Sequence, residues 1–188
     1  GKSTLFNRMT RASAYADDLL FATLDPAMRG VALPDGRRAI FSDTVGFISD
    51  LPTHLIASFR ATLDEILEAG LIVHVRDISH PQSLAQKQDV LQVLEDLGLP
   101  EQRRETMIEV LNKMDLLDPD RQDEMRNMAA RAQNVLPLSA VTGEGCDALL
   151  AAIAERLSER RELVDLHLAP GDGANLAWLH RHAEVVEL

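Results

Sequence analysis

The pattern of apolar and polar positions predicts strands that alternate with helices over most of the chain. Leu5, Phe6 and Met9 recur at helical spacing directly after the opening GKST, which predicts a helix that starts at the first glycine. Three nearly continuous apolar runs, LIVHVRD, TMIEVLNK and NVLPLSA, are typical of strands buried on both faces of a sheet. Helices are predicted at residues 82–97, at residues 119–133 and over DALLAAIAERLSERREL. This alternation indicates an α/β fold with a doubly wound, mostly parallel sheet.

A hairpin and one more helix are predicted before the first of these three strands. Two short β-prone runs flank the turn signal PDG, which has the turn chemistry of a hairpin. Pro52 can occupy the first turn of a helix that runs to about Ala69, with its apolar residues on one stripe. Residues 13–26 show no sustained period, so we expect an ordered loop there.

The α/β rhythm ends at about Leu163, where the composition changes. We therefore expect an α/β domain over residues 1–162, then a linker and the beginning of a small C-terminal domain over residues 163–188. A short helix is predicted over NLAWLHRH, and Trp178 within it is expected to be a core anchor.

Composition narrows the class of protein. Apolar residues make up 46% of the 188 residues, which is enough for a buried core, and the single cysteine fits a reducing, cytoplasmic location. No run of 18 apolar residues occurs, so no membrane span is predicted. A net charge of −11 argues against binding of a nucleic-acid backbone by this segment alone, because such binding needs clustered Lys and Arg. It does not exclude a nucleotide that binds with Mg²⁺ in a local pocket.

Two polar motifs could bind the phosphates of a nucleotide. GKST is the second half of the pattern G-x-x-x-x-G-K-[ST], in which Lys2 would reach the β- and γ-phosphates and the Ser3 hydroxyl would coordinate Mg²⁺. In DTVG, after a β-prone run, Asp43 could hold Mg²⁺ through water and the N–H of Gly46 could donate to a γ-phosphate. A helix N-terminus offers further backbone N–H donors to a phosphate. All four residues of the first motif are therefore expected to bind the nucleotide, namely Gly1, Lys2, Ser3 and Thr4. Each motif alone also fits an ordinary helix start or strand-ending turn.

Two further motifs, NKMD and SAVTG, could recognise a guanine base. The Asp115 carboxylate can accept hydrogen bonds from guanine N1–H and the 2-amino group, and adenine lacks both donors. Asn112 would tie loops together, and the stem of Lys113 would lie over the base plane. SAVTG begins at Ser139 and offers the N–H of Ala140 to guanine O6. Taken singly, Asp115 also fits a helix N-cap, and SAVTG fits a loop before a helix.

The order of the four motifs decides between these interpretations. Each motif lies where a predicted element ends or begins, and the motifs supply complementary contacts to phosphate, metal and base. Ligands of such sheets bind outside the carboxyl ends of the strands, so we interpret GKST as part of a phosphate loop. The first glycine of that pattern and its leading strand would lie before Gly1. We therefore expect that the first strand of the sheet is missing from this chain and that the sequence is an excerpt of a longer protein.

With these motifs the sequence resembles the P-loop GTPases and, within them, the HflX family. The longer similarity lies in LFATLDP, LPDGR, SDTVGFISDLPTHLIASFRATLDEILEA, HVRDISHP and SAVTGEG, and the tail LAPGDGANLAWLHRHAEVVEL is similar to the start of that family's C-terminal domain. The resemblance implies a GTP-binding and GTP-hydrolysing switch, with GTP or GDP and Mg²⁺ as ligands. It also implies association with the large ribosomal subunit, through regions largely absent here, and action on stalled or stressed ribosomes.

The resemblance assigns Thr23 to the switch threonine that would meet Mg²⁺ and the γ-phosphate. The implied metal set is Ser3 and Thr23, with Asp43 acting through water, and Thr23 and the backbone of Gly46 are the candidate catalytic groups. Phe47 stands where many Ras-like GTPases place the Gln that orients the attacking water, so hydrolysis is expected to be slow without a partner. The alternative is a nucleotide-gated, ribosome-binding scaffold with negligible hydrolysis. NKMD disfavours an ATPase, and a monomer is expected.

Overall fold

The computed structural model describes residues 1–10, 27–44, 46, 65–158, 166–168 and 173–182. Residues 65–68 are helical, and Met114–Leu116 form a single 3₁₀ turn. The remaining elements follow in chain order: α1 (Lys2–Thr10), β1 (Ala27–Ala32), β2 (Arg38–Asp43), β3 (Val73–Asp77), α2 (Ser83–Asp96), α3 (Glu101–Glu105), β4 (Ile108–Asn112), α4 (Pro119–Ala130), β5 (Val135–Pro137), α5 (Cys146–Ser158) and α6 (Gly173–His182).

The sheet that carries the predicted apolar strands is parallel, in the order β3-β4-β5. Its central strand, β4, is almost completely buried, which explains why its sequence is nearly continuous in apolar residues. Asp77 and Asn112 lie opposite each other in the register of β3 and β4. The predicted α/β fold with a parallel sheet is confirmed.

The predicted hairpin is also confirmed, with β1 and β2 pairing antiparallel. Its turn is closed by a hydrogen bond of 3.0 Å from the N–H of Gly36 to the carbonyl of Leu33. Gly36 has φ +84°, a left-handed conformation that favours glycine. The adjacent Arg37 donates to the carbonyl of Ala154 and to Ser158 Oγ, both at 2.6 Å, and so ties the turn to α5.

A single apolar cluster packs α1 and α5 against the sheet and the hairpin. Its buried members come from α1, β4, α5 and the residues that follow β1 and β5, and the partly buried Val73 and Val75 of β3 pack against them. The cluster includes Leu5, Met9, Leu33, Ile108, Val110, Leu138, Leu149 and Ile153. Because α1 belongs to this core, the position of its first turn is coupled to the packing of the sheet.

The strands in the described residues form two sheets, β1-β2 and β3-β4-β5. A cavity of about 600 Å³ lies between β2 and β3, with lining residues from both strands, from α1 and from α5. The lining is mostly apolar and includes Phe6, Phe41 and Val73. In the described strands the hairpin and the parallel sheet are thus separate, with this cavity between them.

Several boundaries differ from the predicted ones, and one short helix was not predicted. Helix α4 ends at Ala130, three residues before the predicted end at residue 133. Helix α3 has only five residues, too few for its apolar period to be recognised. Its Arg103 donates to the carbonyls of Leu67 and Ala69, so α3 caps the end of the helix at residues 65–68.

The C-terminal region gives a mixed outcome. The predicted helix over NLAWLHRH is confirmed as α6, but Trp178 is 53% exposed, so its prediction as a core anchor is wrong. The loop predicted at 13–26 and the domain boundary near Leu163 lie outside the described residues. Most of the helix predicted from Pro52 also lies outside them. No helix in the described part of the chain is long and apolar enough to cross a membrane.

Candidate functional site

The predicted site residues lie where strands end, as the fold requires. Asp43 is the last residue of β2, Asn112 is the last residue of β4, and Ser139 follows β5 by two positions. Asp77, the last residue of β3, joins them in register with Asn112. The carboxyl edge of the parallel sheet, where an α/β fold binds its ligands, therefore carries polar side chains, and Asp43 ends a strand of the separate hairpin.

One part of the site consists of Lys2, Asp43 and Thr44, and we call it the phosphate side after its predicted role. Lys2 Nζ donates to Asp43 Oδ1 and to the carbonyl of Thr44. Asp43 is only 4% exposed, whereas the Lys2 side chain is 31% exposed. The ammonium group thus bridges the first turn of α1 and the end of β2, at the place where the two predicted phosphate motifs meet.

The donor set on the phosphate side fits a magnesium ion. The candidate donors are a serine hydroxyl, from Ser3 in the first turn of α1, and, through water, the carboxylate of Asp43. Both are hard oxygen donors, which Mg²⁺ prefers, and they leave room in the coordination shell for water and phosphate oxygens. Gly46 is exposed, and a Cβ at this position would meet no atom within 4 Å, so its backbone is open to a ligand. Thr23 lies outside the described residues.

The other part consists of Asp77, Asn112, Lys113, Ser139 and Ala140, and we call it the base side. Asn112 is 2% exposed, and its Oδ1 accepts the N–H of Lys113 at 2.8 Å and the N–H of Ala140 at 3.0 Å. Asn112 therefore ties the NKMD turn to the SAVTG loop, the role expected from its sequence. The N–H of Ala140, expected to face guanine O6, donates to Asn112 in this structure.

Lys113 has an unusual backbone conformation, and its side chain pairs with a neighbouring strand. It has φ +70°, the left-handed region, and no other non-glycine residue in the described ranges has a positive φ. Its Nζ lies 2.7 Å from Asp77 Oδ2. Burial acts to raise the pKa of Asp77, but hydrogen bonds from Lys113 and Ser79 outweigh it and hold that pKa below its usual value. Asp77 therefore stays ionised and keeps the Lys113 side chain directed along the sheet edge.

The SAVTG loop is closed by its own hydrogen bonds. The N–H of Gly143 donates to the carbonyl of Ser139 at 2.8 Å, and the N–H of Thr142 donates to Ser139 Oγ at 3.1 Å. Ser139 is completely buried, so these two hydrogen bonds anchor the loop to the interior of the protein. Asp115, in the 3₁₀ turn after Lys113, is exposed and its carboxylate can reach a ligand at the surface.

Comparison with known families matches the chain in two segments. The family model described as "50S ribosome-binding GTPase" matches residues 1–113, and the model described as "HflX C-terminal domain" matches residues 124–187. The chain belongs to the HflX family of 50S ribosome-binding GTPases.

Individual HflX relatives are similar over the whole chain. The GTPase HflX of Magnetococcus marinus is 43% identical over 188 residues, which cover 100% of this chain and 42% of that protein. Putative GTP-binding protein 6 of Xenopus laevis is 40% identical over 191 residues, covering 100% of this chain and 34% of that protein. The chain thus spans less than half the length of these two relatives.

Solved structures support the fold of this HflX-family chain. A crystal structure of a GTP-binding protein from Sulfolobus solfataricus, in complex with GDP, superposes with a TM-score of 0.64. The match covers 86% of this chain and 50% of that chain at 21% identity, so it concerns the fold alone.

Two residues of the site were not predicted. Asp77 ends the strand LIVHVRD, so the rule that polar residues gather at strand ends could have found it. Arg8, in the last turn of α1, donates from Nε to the carbonyl of Ala140 at 2.6 Å and from Nη2 to the carbonyl of Val141. No local pattern indicates Arg8, because its partners lie 132 and 133 residues further along the chain.

Proposed function

We propose that the intact protein to which this chain belongs binds and hydrolyses GTP, associates with the large ribosomal subunit and acts on stalled or stressed ribosomes. The observation that carries this proposal is the row of site residues at the carboxyl ends of β2, β3 and β4 and after β5. The phosphate side supplies charge for a polyphosphate, and the base side supplies hydrogen bonds for a purine. A guanine nucleotide needs both kinds of contact.

On the phosphate side, Lys2 exchanges partners when a nucleotide binds. Its ammonium group donates to Asp43 and Thr44 in the structure, and a β- or γ-phosphate offers it stronger charge-assisted acceptors. That exchange would free an oxygen of Asp43 for a water of the Mg²⁺ shell, and Ser3 and Thr23 would hold the ion directly. A bound Mg²⁺ would supply positive charge for the transferred phosphoryl group.

On the base side, recognition depends on Asp115 and on the backbone of Ala140. The exposed Asp115 carboxylate accepts hydrogen bonds from N1–H and the 2-amino group of guanine, while the N–H of Ala140 is shared between Asn112 and O6. Adenine has neither N1–H nor a 2-amino group, and it carries a donor where guanine carries O6. ATP would therefore leave the Asp115 carboxylate unpaired and place a second donor against the N–H of Ala140. Unpaired polar groups in a binding site reject the wrong ligand strongly.

Hydrolysis is slow in the isolated protein and is accelerated by the ribosome. Phe47 follows D-x-x-G in the sequence and cannot orient the attacking water as a glutamine does. The water is then positioned by backbone groups, such as that of Gly46, and by the partner. Phe47 also favours a second candidate function, a nucleotide-gated scaffold that binds the ribosome and hydrolyses negligibly. Monomeric state and cytoplasmic location stay predictions.

Multiple-turnover phosphate release from the intact protein tests the proposal. We expect slow release from GTP, none above background from ATP, and a rise of tenfold or more when large ribosomal subunits are added, about 1.4 kcal/mol of barrier. Nucleotide-dependent subunit binding without turnover would favour the scaffold. Turnover by the protein alone as fast as with ribosomes would contradict the requirement for a partner.

A further inference from the structure

Arg8 connects two parts of the site that lie far apart in sequence. It belongs to the last turn of α1, the helix whose first turn carries Lys2. Its Nε donates to the carbonyl of Ala140 at 2.6 Å, and its Nη2 donates to the carbonyl of Val141. A guanidinium that meets two successive carbonyls holds them in a defined orientation, because its N–H donors form a rigid planar fork.

The backbone N–H and the carbonyl of Ala140 each form a hydrogen bond with a different element. Its N–H donates to Asn112 Oδ1 at 3.0 Å, and its carbonyl accepts from Arg8. Asn112 belongs to β4 and Arg8 to α1, so the residue expected to face purine O6 is fixed between the sheet and the phosphate-binding helix. Ala140 is itself only 3% exposed, which leaves it little freedom to move.

The shape of the SAVTG loop also accommodates the guanidinium. Gly143 has φ +93°, and a Cβ at this position would lie 2.5 Å from Arg8 Nη1. A side chain at residue 143 would therefore displace the Arg8 guanidinium. A glycine at this position suits both the left-handed backbone of the loop and the space that the guanidinium occupies.

We infer that Arg8 is a positioning residue for base recognition, which couples the phosphate-binding helix α1 to the loop that reads purine O6. This inference rests on the proposed function, since it assumes a guanine nucleotide in the site. Arg8 does not touch the nucleotide; it acts through the Ala140 backbone. Loss of its side chain should impair recognition of the base and leave the contacts made by the first turn of α1 in place.

The test compares Arg8→Gln with wild type in the intact protein, by displacement of a fluorescent GDP analogue with unlabelled GDP, IDP, ADP and pyrophosphate. GDP and IDP both carry O6, so both should bind about tenfold more weakly once the N–H of Ala140 is no longer held in place for O6. ADP and pyrophosphate should be unaffected, so the preference for GDP over ADP should fall about tenfold. Arg8→Lys, which keeps the charge but lacks the fork, should give an intermediate loss.

Arg131→Gln is the matched control, because it removes an exposed arginine at the end of α4 and should leave all four affinities unchanged. Unchanged GDP affinity in Arg8→Gln would overturn the inference. Equal weakening of GDP and pyrophosphate would also overturn it, since it would indicate general damage to α1. Failure of the wild type to prefer GDP over ADP would instead contradict the proposed function itself.

Discussion

Asn112 on the base side is 2% exposed and accepts two backbone N–H groups, whereas Lys2 on the phosphate side is 31% exposed and reaches Asp43 through a flexible charged stem. The centre of the base side, at Asn112, is thus held by neutral hydrogen bonds to backbone N–H groups, and the partly exposed ion pair of Lys113 with Asp77 lies beside it. The phosphate side is held by a charge pair that a phosphate can replace. A site divided in this way can keep its selectivity for the base while its phosphate contacts change with the state of the nucleotide.

The largest expected effect comes from Asn112→Ala, which removes the acceptor at the centre of the base side. The N–H groups of Lys113 and Ala140 would lose their partner in a region that water reaches poorly. Each buried donor left unpaired costs about 1–3 kcal/mol, so the free energy of unfolding should fall by about 4 kcal/mol. Urea unfolding measured by circular dichroism gives this value.

Asn134→Ala is the control for that substitution. Asn134 also bonds through its side chain, donating to the carbonyl of Glu105 at 2.6 Å and accepting from the Arg156 guanidinium, but the first bond is exposed and the second is only partly buried. Water can replace the lost partner there, so the loss should stay below about 1 kcal/mol. Similar losses for the two alanine variants would show that burial does not distinguish the base side, which would contradict the comparison.

A smaller effect should appear in the pH dependence of stability, because His74 of β3 is partly buried beside charged groups of β3, β4 and α2. Burial lowers the pKa of His74 from 6.5 to about 4, although Glu109 acts to raise it, and Arg76 and Lys87 lower it further. The unfolded chain therefore binds a proton between pH 6.5 and pH 4 that the folded chain does not. Stability should fall as the pH falls through this window, by about 2 kcal/mol between pH 7 and pH 5.

Urea titrations of wild type and His74→Gln over this pH range measure that contribution. The variant cannot take up the proton, so its stability should vary less between pH 7 and pH 5, and the two proteins should show parallel behaviour above pH 7. An equally steep dependence in the variant would mean that groups other than His74 cause it.

The sequence predicts those elements and site residues that depend on the residue pattern of a single segment. The run TMIEVL predicts a buried strand, and the strand end then places Asn112 at the sheet edge without knowledge of any partner. The contacts of Arg8 depend on how α1 packs against a loop 132 residues later, which no local pattern reports.

The errors have a similar cause. Trp178 lies between Leu176 and Leu179 in the sequence, and α6 forms as predicted, but apolar neighbours in sequence cannot tell which surface covers a helix, and Trp178 is 53% exposed. Helix α3 escaped prediction because five residues contain little more than one helical turn. The spacing of apolar residues thus predicts that a helix forms, whereas the burial of its side chains depends on tertiary contacts.

The nucleotide preference of Asp115→Asn in the intact protein tests the central claim most directly. Xanthine carries a carbonyl in place of the 2-amino group of guanine, and the amide of asparagine can donate to it. Loss of two hydrogen bonds to a charged group should weaken GTP about 100-fold while XTP gains. Asp118→Asn is the matched control, since Asp118 caps α4 and asparagine caps equally well. A switch of preference from GTP to XTP in Asp115→Asn alone is the predicted result, and an unchanged preference for GTP would contradict base reading by the NKMD motif.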